Sequence, residues 1–255
     1  MNNNKFGFTL AEVLITLGII GVVCAMTIPT LVKNYKNEIT ISGIKTTTNI
    51  LSNGMKQIIA NEGCNDLMCT GLFSEKIDDT YYTNIDNAMK KVFKNIKSCF
   101  GGNQCDYRVS GLTADPYVNE GVSSNMSSYA TAGEYKYILP NGVIFYIANT
   151  QCVETKYPTI SSIKNICASI IFDINGKKSP NKWGRDIFYF DLAQDGSLYP
   201  HNGIEVAKFN AGSNWKRSNY YWTTSTDYRN CSSTTRSYGY ACAARIIENG
   251  WKIDY

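Results

Sequence analysis

From Phe8 to Val32 the chain runs through 25 residues with a single charge, Glu12. A helix of that length rises about 37 Å, enough to cross a bilayer with some tilt. A carboxylate inside such a span costs at least ~2.5 kcal/mol on insertion scales, so it calls for a partner. Any fold for this chain must therefore accommodate an apolar helix with one acid set near its start. Pro29 adds a second constraint, because a proline inside a helix removes a backbone hydrogen bond and bends or loosens the chain. A secretory signal has a shorter apolar core and a small-residue cleavage site. A lipoprotein signal needs a small residue before the lipidated cysteine, and here Val23 precedes Cys24. A plain membrane anchor has no use for Glu12 or Pro29.

Lys5, Gly7 and the run Phe8-Thr9-Leu10-Ala11-Glu12, leading into an unbroken apolar helix, resemble the class III signal of type IV prepilins and pseudopilins. The resemblance covers residues 5–32 closely. It implies cleavage after Gly7 by a dedicated prepilin peptidase and N-methylation of the new first residue, Phe8. It also implies that Glu12 offsets the charge on a neighbouring subunit's N-terminus during assembly, and that Pro29 matches the family's helix proline. Opposite charges a few ångströms apart attract far more strongly in a low dielectric than in water. Gly18 and Gly21 precede Pro29, where the family's helix can loosen on assembly, and glycine makes that change easy. Gly21 and Ala25 also form a small-xxx-small pair that lets helices approach closely. Routine glycine use in a membrane helix accounts for the same residues equally well.

Beyond the apolar run the chain is ordinary. Charged residues make up 18% of the whole and the net charge is +4, too mild a balance to indicate a nucleic-acid partner. The remaining length is enough for one sizeable core. Of nine cysteines, Cys24 lies in the apolar span. The other eight are Cys64, Cys69, Cys99, Cys105, Cys152, Cys167, Cys231 and Cys242, an even number that implies a disulfide framework outside the membrane. They allow roughly a hundred pairings. Their clustering favours nearest neighbours: 64–69, 99–105, 152–167 and 231–242. The last would close a C-terminal loop, where type IV pilins commonly carry a disulfide.

Leu31, Tyr35, Ile39, Ile44, Leu51, Met55, Ile58 and Ile59 recur at helical spacing, so the first helix is expected to continue to about residue 60. Gly43, Gly54 and the threonines at 46–48 weaken it, and Gly63 is a plausible stop. A second helix is expected over 84–97, with Ile85, Met89, Val92, Phe93 and Ile96 on one face. Residues 114–133 read as an exposed loop. Tyr135–Leu139 and Val143–Ala148 flank Asn141-Gly142, a hairpin signal. Further strands fit 168–174, 187–192 and 198–199, with Asp195-Gly196 as a turn. The expected class is α+β: a long N-terminal helix, half membrane-embedded and half amphipathic, packed on an antiparallel sheet with disulfide-clipped loops. The expected layout is a leader at 1–7, a membrane or filament-core helix at 8–32 and a head at 33–255.

Asp173, Asn175 and Asp186 place side-chain oxygens close together and are candidate ligands for a hard cation such as calcium. The bidentate glutamate of an EF-hand is missing, nearby lysines supply positive charge, and Asp and Asn-Gly are good turn formers. Similar runs recur in pilin-like proteins, where they imply a fold element. Trp215, Tyr220, Tyr221, Trp222, Tyr228, Tyr238 and Tyr240 alternate with Lys216, Arg217, Arg229, Arg236 and Arg245. Such a stretch suits stacking of single-stranded nucleic acid, glycan binding, a neighbouring subunit or simple cover for the sheet. The motifs Walker A, Gly-x-Ser-x-Gly and His-Glu-x-x-His are absent, and His201 is the only histidine.

These readings converge on a structural subunit, a minor pilin or pseudopilin of a type IV pilus or type II secretion-type filament. Its expected partners are prepilin peptidase, other subunits and the inner membrane, with the head outside the cytoplasm. Two rival readings are a tethered glycan- or DNA-binding module and, more remotely, a tethered hydrolase around His201.

Overall fold

In the structure, a computed structural model, the described residues are 9–73, 79–99, 105, 107, 109–112, 135–148, 151–154, 161–211, 230–234 and 237–255. Helix α1 runs Leu10–Asn61 without a break, past Pro29. Two compact units divide it, Met1–Ile39 and Thr40–Tyr255. In the second unit α1 buries Ile41, Ile44, Leu51, Met55, Ile58 and Ile59, a stripe at three- and four-residue spacing. Leu31, Tyr35 and Ile39, expected to continue that stripe, are exposed.

Helix α2 spans Asp79–Val92, starting and stopping about five residues earlier than expected. The chain leaves the helix at Phe93, and Asn95 takes a left-handed φ of 61°. Phe93 and Ile96 are still buried, which is why helical periodicity overran the true end. Leaving the helix allows Lys97–Ser98 to form a short edge strand, β1.

The sheet is antiparallel, in the order β1, β2 (Tyr135–Ile138), β3 (Ile144–Ala148), β5 (Asn165–Asp173), β6 (Ile187–Ala193), β7 (Leu198–Pro200). The Asn141-Gly142 hairpin joins β2 to β3, pairing Ile138 with Ile144 and Tyr135 with Ile147. Strand β4 (Val153–Glu154) pairs with residues 165–166 of β5, in line with β3, which holds residues 169–173. Helices α3 (Ile204–Ala211) and α4 (Cys242–Glu248) complete the elements among the described residues. The sequence of residues 245–253 reads as a strand or a short helix with a turn, and the structure makes it the end of α4 followed by a turn. No sequence signal had pointed to α3. Its first N–H, on Ile204, donates to Glu248 Oε1 of α4 at 2.8 Å, so a residue distant in sequence caps it.

Both faces of the central strands are covered. Phe145, Phe172, Phe188 and Phe190 belong to the core shared with α1 and α2, and Phe172 stacks on Phe190 at 5.2 Å. Ile144, Tyr146, Ile171 and Ile187 pack on the opposite face under Val109 and Trp183. Each such large apolar side chain contributes roughly 1.5–3 kcal/mol by leaving water. All four nearest-neighbour disulfides form: Cys64–Cys69, Cys99–Cys105, Cys152–Cys167 and Cys231–Cys242. Cys24 is free. The fold is α+β, as the sequence indicated.

Candidate assembly site

Gly7 and Phe8 lie outside the described residues, which begin at Thr9. Thr9 and Glu12 close the start of α1 on each other. The Thr9 N–H donates to Glu12 Oε2 at 2.7 Å and the Thr9 hydroxyl donates to the same oxygen at 2.8 Å. In return the Glu12 N–H donates to Thr9 Oγ1 at 3.3 Å. This is a capping box, in which side chains serve N–H groups that the helix leaves unpartnered. Its sequence signature, Thr-x-x-Glu, was present in the resemblance but had not been read as a cap. Glu12 is thereby oriented at the head of an apolar helix.

Along Leu10–Val32 the large apolar side chains are exposed, from Leu10 at 77% to Leu31 at 69%. This part of α1 is long and apolar enough to cross a membrane, and its most apolar stretch is not buried. Thr16 and Thr27 turn their hydroxyls back onto the carbonyls of Val13 and Val23, which hides two polar groups along the helix. An added Cβ at Gly18 or Gly21 would meet nothing, so packing within the chain does not require glycine there.

In the head, Asp173, Asn175 and Asp186 do converge. Asp173 accepts the Tyr107 hydroxyl at 2.7 Å and the Asn175 N–H at 3.0 Å. Asp186 accepts the N–H groups of Asn181, at 2.8 Å, and Lys182, and the Asn175 side-chain amide at 3.4 Å. Burial, and next the charge on Asp186, push Asp173 up to about 8, and burial also raises Asp186. The carboxylates thus brace the turn between β5 and β6 by accepting its own donors. Among the described residues, no set of three or more His, Cys, Asp and Glu side chains is arranged to hold a metal ion.

His201 follows β7. Its Nδ1 lies 2.8 Å from Asp191 Oδ2 and its ring stacks on Tyr189 at 3.7 Å. Among the described residues no hydroxyl or thiol is hydrogen-bonded to that imidazole, whose partner is the Asp191 carboxylate. Most of the aromatic and basic stretch, including Trp215, Tyr220, Tyr221, Trp222 and Tyr228, lies outside the described residues, as does the loop at 114–133. Of that stretch, Tyr240 packs edge-on against Trp183 at 4.7 Å, covering the sheet.

A family model described as the prokaryotic N-terminal methylation motif matches residues 2–28. No curated protein matches the chain, and no solved structure does. The matched segment contains Gly7, Phe8 and the Thr9–Glu12 box, and it ends just short of Pro29. The chain carries, at its N-terminus, the cleavage and methylation signal of type IV pilins and pseudopilins.

Proposed function

We propose that the protein is a structural subunit, a minor pilin or a pseudopilin, of a bacterial type IV pilus or type II secretion-type filament. The observation that carries this reading is the helix behind the methylation signal, whose large apolar side chains are exposed from Leu10 to Val32. Prepilin peptidase removes residues 1–7 and methylates Phe8. Residues 8–32 hold the mature chain in the inner membrane as a single span, and residues 33–255 form a head outside the cytoplasm. Assembly moves the exposed side chains from lipid into contact with other subunits' helices.

Glu12 supplies register. Within one chain its carboxylate serves the Thr9 N–H and hydroxyl. In the filament it meets the amino group of a neighbouring subunit's Phe8, a charge pair strengthened by the low dielectric. Pro29 loosens the helix where subunits pack.

Two measurements on the full chain in its host test this. Mass spectrometry of the mature protein should find a methylated Phe8 at its start; a chain still beginning at Met1 contradicts the reading. Glu12→Ala should leave insertion and cleavage intact. It should lower the filament yield at least about tenfold, since one member of a desolvated pair is then uncompensated. Filaments at normal yield from that variant would remove Glu12 from the mechanism.

A further inference from the structure

Two features of the head match each other in charge and apolar character. One is an open cleft of about 570 Å³ between the β2–β3 hairpin and the turn after β5. Ile138, Ile144 and Ile174 form its apolar floor, and Asn175, Lys177 and Lys178 stand at its rim. Lys97 lies directly across from Ile138 on β1, on the same face of the sheet. Lys97, Lys177 and Lys178 are all exposed, and none of the described lining side chains is acidic. Asp173, paired with Ile144 beside the cleft, is fully buried and pushed up to about 8, so it offsets these lysines little at neutral pH.

The other feature is the loop clipped by Cys64–Cys69. Leu67 anchors it, fully buried and with its N–H donating to the Gln194 carbonyl at 2.8 Å. The next residue, Met68, is 41% exposed, the only large apolar side chain so exposed among the described residues of the Thr40–Tyr255 unit. Glu62 stands just before the clipped loop and Asp66 within it, and Leu67 ties the loop to the turn carrying Asp195. Methionine is unbranched and adaptable, suited to filling an irregular apolar floor.

The two features cannot meet within one chain. Ile174 of the cleft lies against α1 at Gly43, and the turn at Gly196 lies against Met55 and Lys56. Twelve helical residues, about 18 Å of rise, separate those contacts. A knob and its socket at different levels on one molecule produce a head-to-tail contact that continues from copy to copy. We propose that Met68, with Glu62 and Asp66, docks into the lysine-rimmed cleft of a second copy of this chain. This contact rests on the filament reading above, in the form in which copies of this chain adjoin, and adds to it a head-to-tail contact between the globular parts of successive copies.

The test places the photo-crosslinker benzoylphenylalanine at Met68 of the full chain, in membranes and sheared filaments. Illumination should give a dimer adduct whose second half maps to residues 138–178. Lys177→Glu with Lys178→Glu should lower its yield about fivefold, in keeping with two exposed charge pairs. Glu62→Lys should also lower it, and combining Glu62→Lys with Lys177→Glu should restore it. Intact disulfides by non-reducing mass spectrometry confirm that each variant has folded. No adduct, an adduct elsewhere on the chain or on a different protein, or a yield indifferent to charge reversal overturns the proposal. Filament formation and the methylated Phe8 are scored separately. Filaments whose Met68 adduct maps elsewhere defeat this contact and leave the filament reading standing.

Discussion

Asp173 shows how one buried side chain sets a pH dependence. An unfolded aspartate ionises near pH 4, whereas the folded head holds this proton to about 8 because burial disfavours the charge. Its contribution to stability is therefore whole below about pH 4, declines as pH rises, and is gone above about 8. Asp186 is shifted in the same direction, and because its charge is one cause of the Asp173 shift the two titrate as a pair. We expect the Tm of the head to fall between about pH 5 and about pH 8.5 and Asp173→Asn to flatten that fall. A Tm that climbed over the same interval would contradict the assignment. The residues of this network stood out in the sequence because turn formers cluster there. Their task did not, since Tyr107, which donates to Asp173 from 66 positions away, belongs to no local pattern. Glu12 was legible for the opposite reason: a lone charge in an apolar run needs no third dimension to stand out.

At the scale of elements, local chemistry and distant packing divide the molecule differently. The hairpin at Asn141-Gly142 was readable because the turn and both flanking strands speak through neighbouring residues. Helix α3 was not, because its N-terminal N–H is satisfied by Glu248, 44 residues on. Gly54 illustrates the same division. As a sequence feature it only weakens α1, yet a Cβ there would stand 1.9 Å from the Phe93 ring. The glycine is what lets the segment after α2 lie against α1. Gly54→Ala should accordingly cost about 1–3 kcal/mol by overpacking, against the roughly 1 kcal/mol that alanine gains in a helix interior. Urea titration of the full chain in detergent would read this as a lower midpoint. A midpoint equal to or above that of the unsubstituted protein would show that Phe93 moves aside freely. The stripe at Leu31, Tyr35 and Ile39 fits here too: periodicity marked an apolar face correctly but could not say what meets it.

For the whole molecule, four disulfides span separations of only 5, 6, 15 and 11 residues. Chain entropy assigns about 3 kcal/mol to the longest of these, Cys152–Cys167, and about 2 kcal/mol to the shortest, Cys64–Cys69. Replacing each pair by serines should lower Tm in that order, with Cys152→Ser/Cys167→Ser the most affected. Equal losses from the two pairs would point to strain or packing in place of chain entropy. The pairing was legible because nearness along the chain and nearness in space coincide at all four. That coincidence bears on how the protein matures. Every covalent ring closes on a contiguous stretch, so no thiol has to search the far side of the sheet for its mate. Oxidation can proceed piecemeal, one ring at a time, and mispaired species that would need an isomerase to unscramble are few by construction.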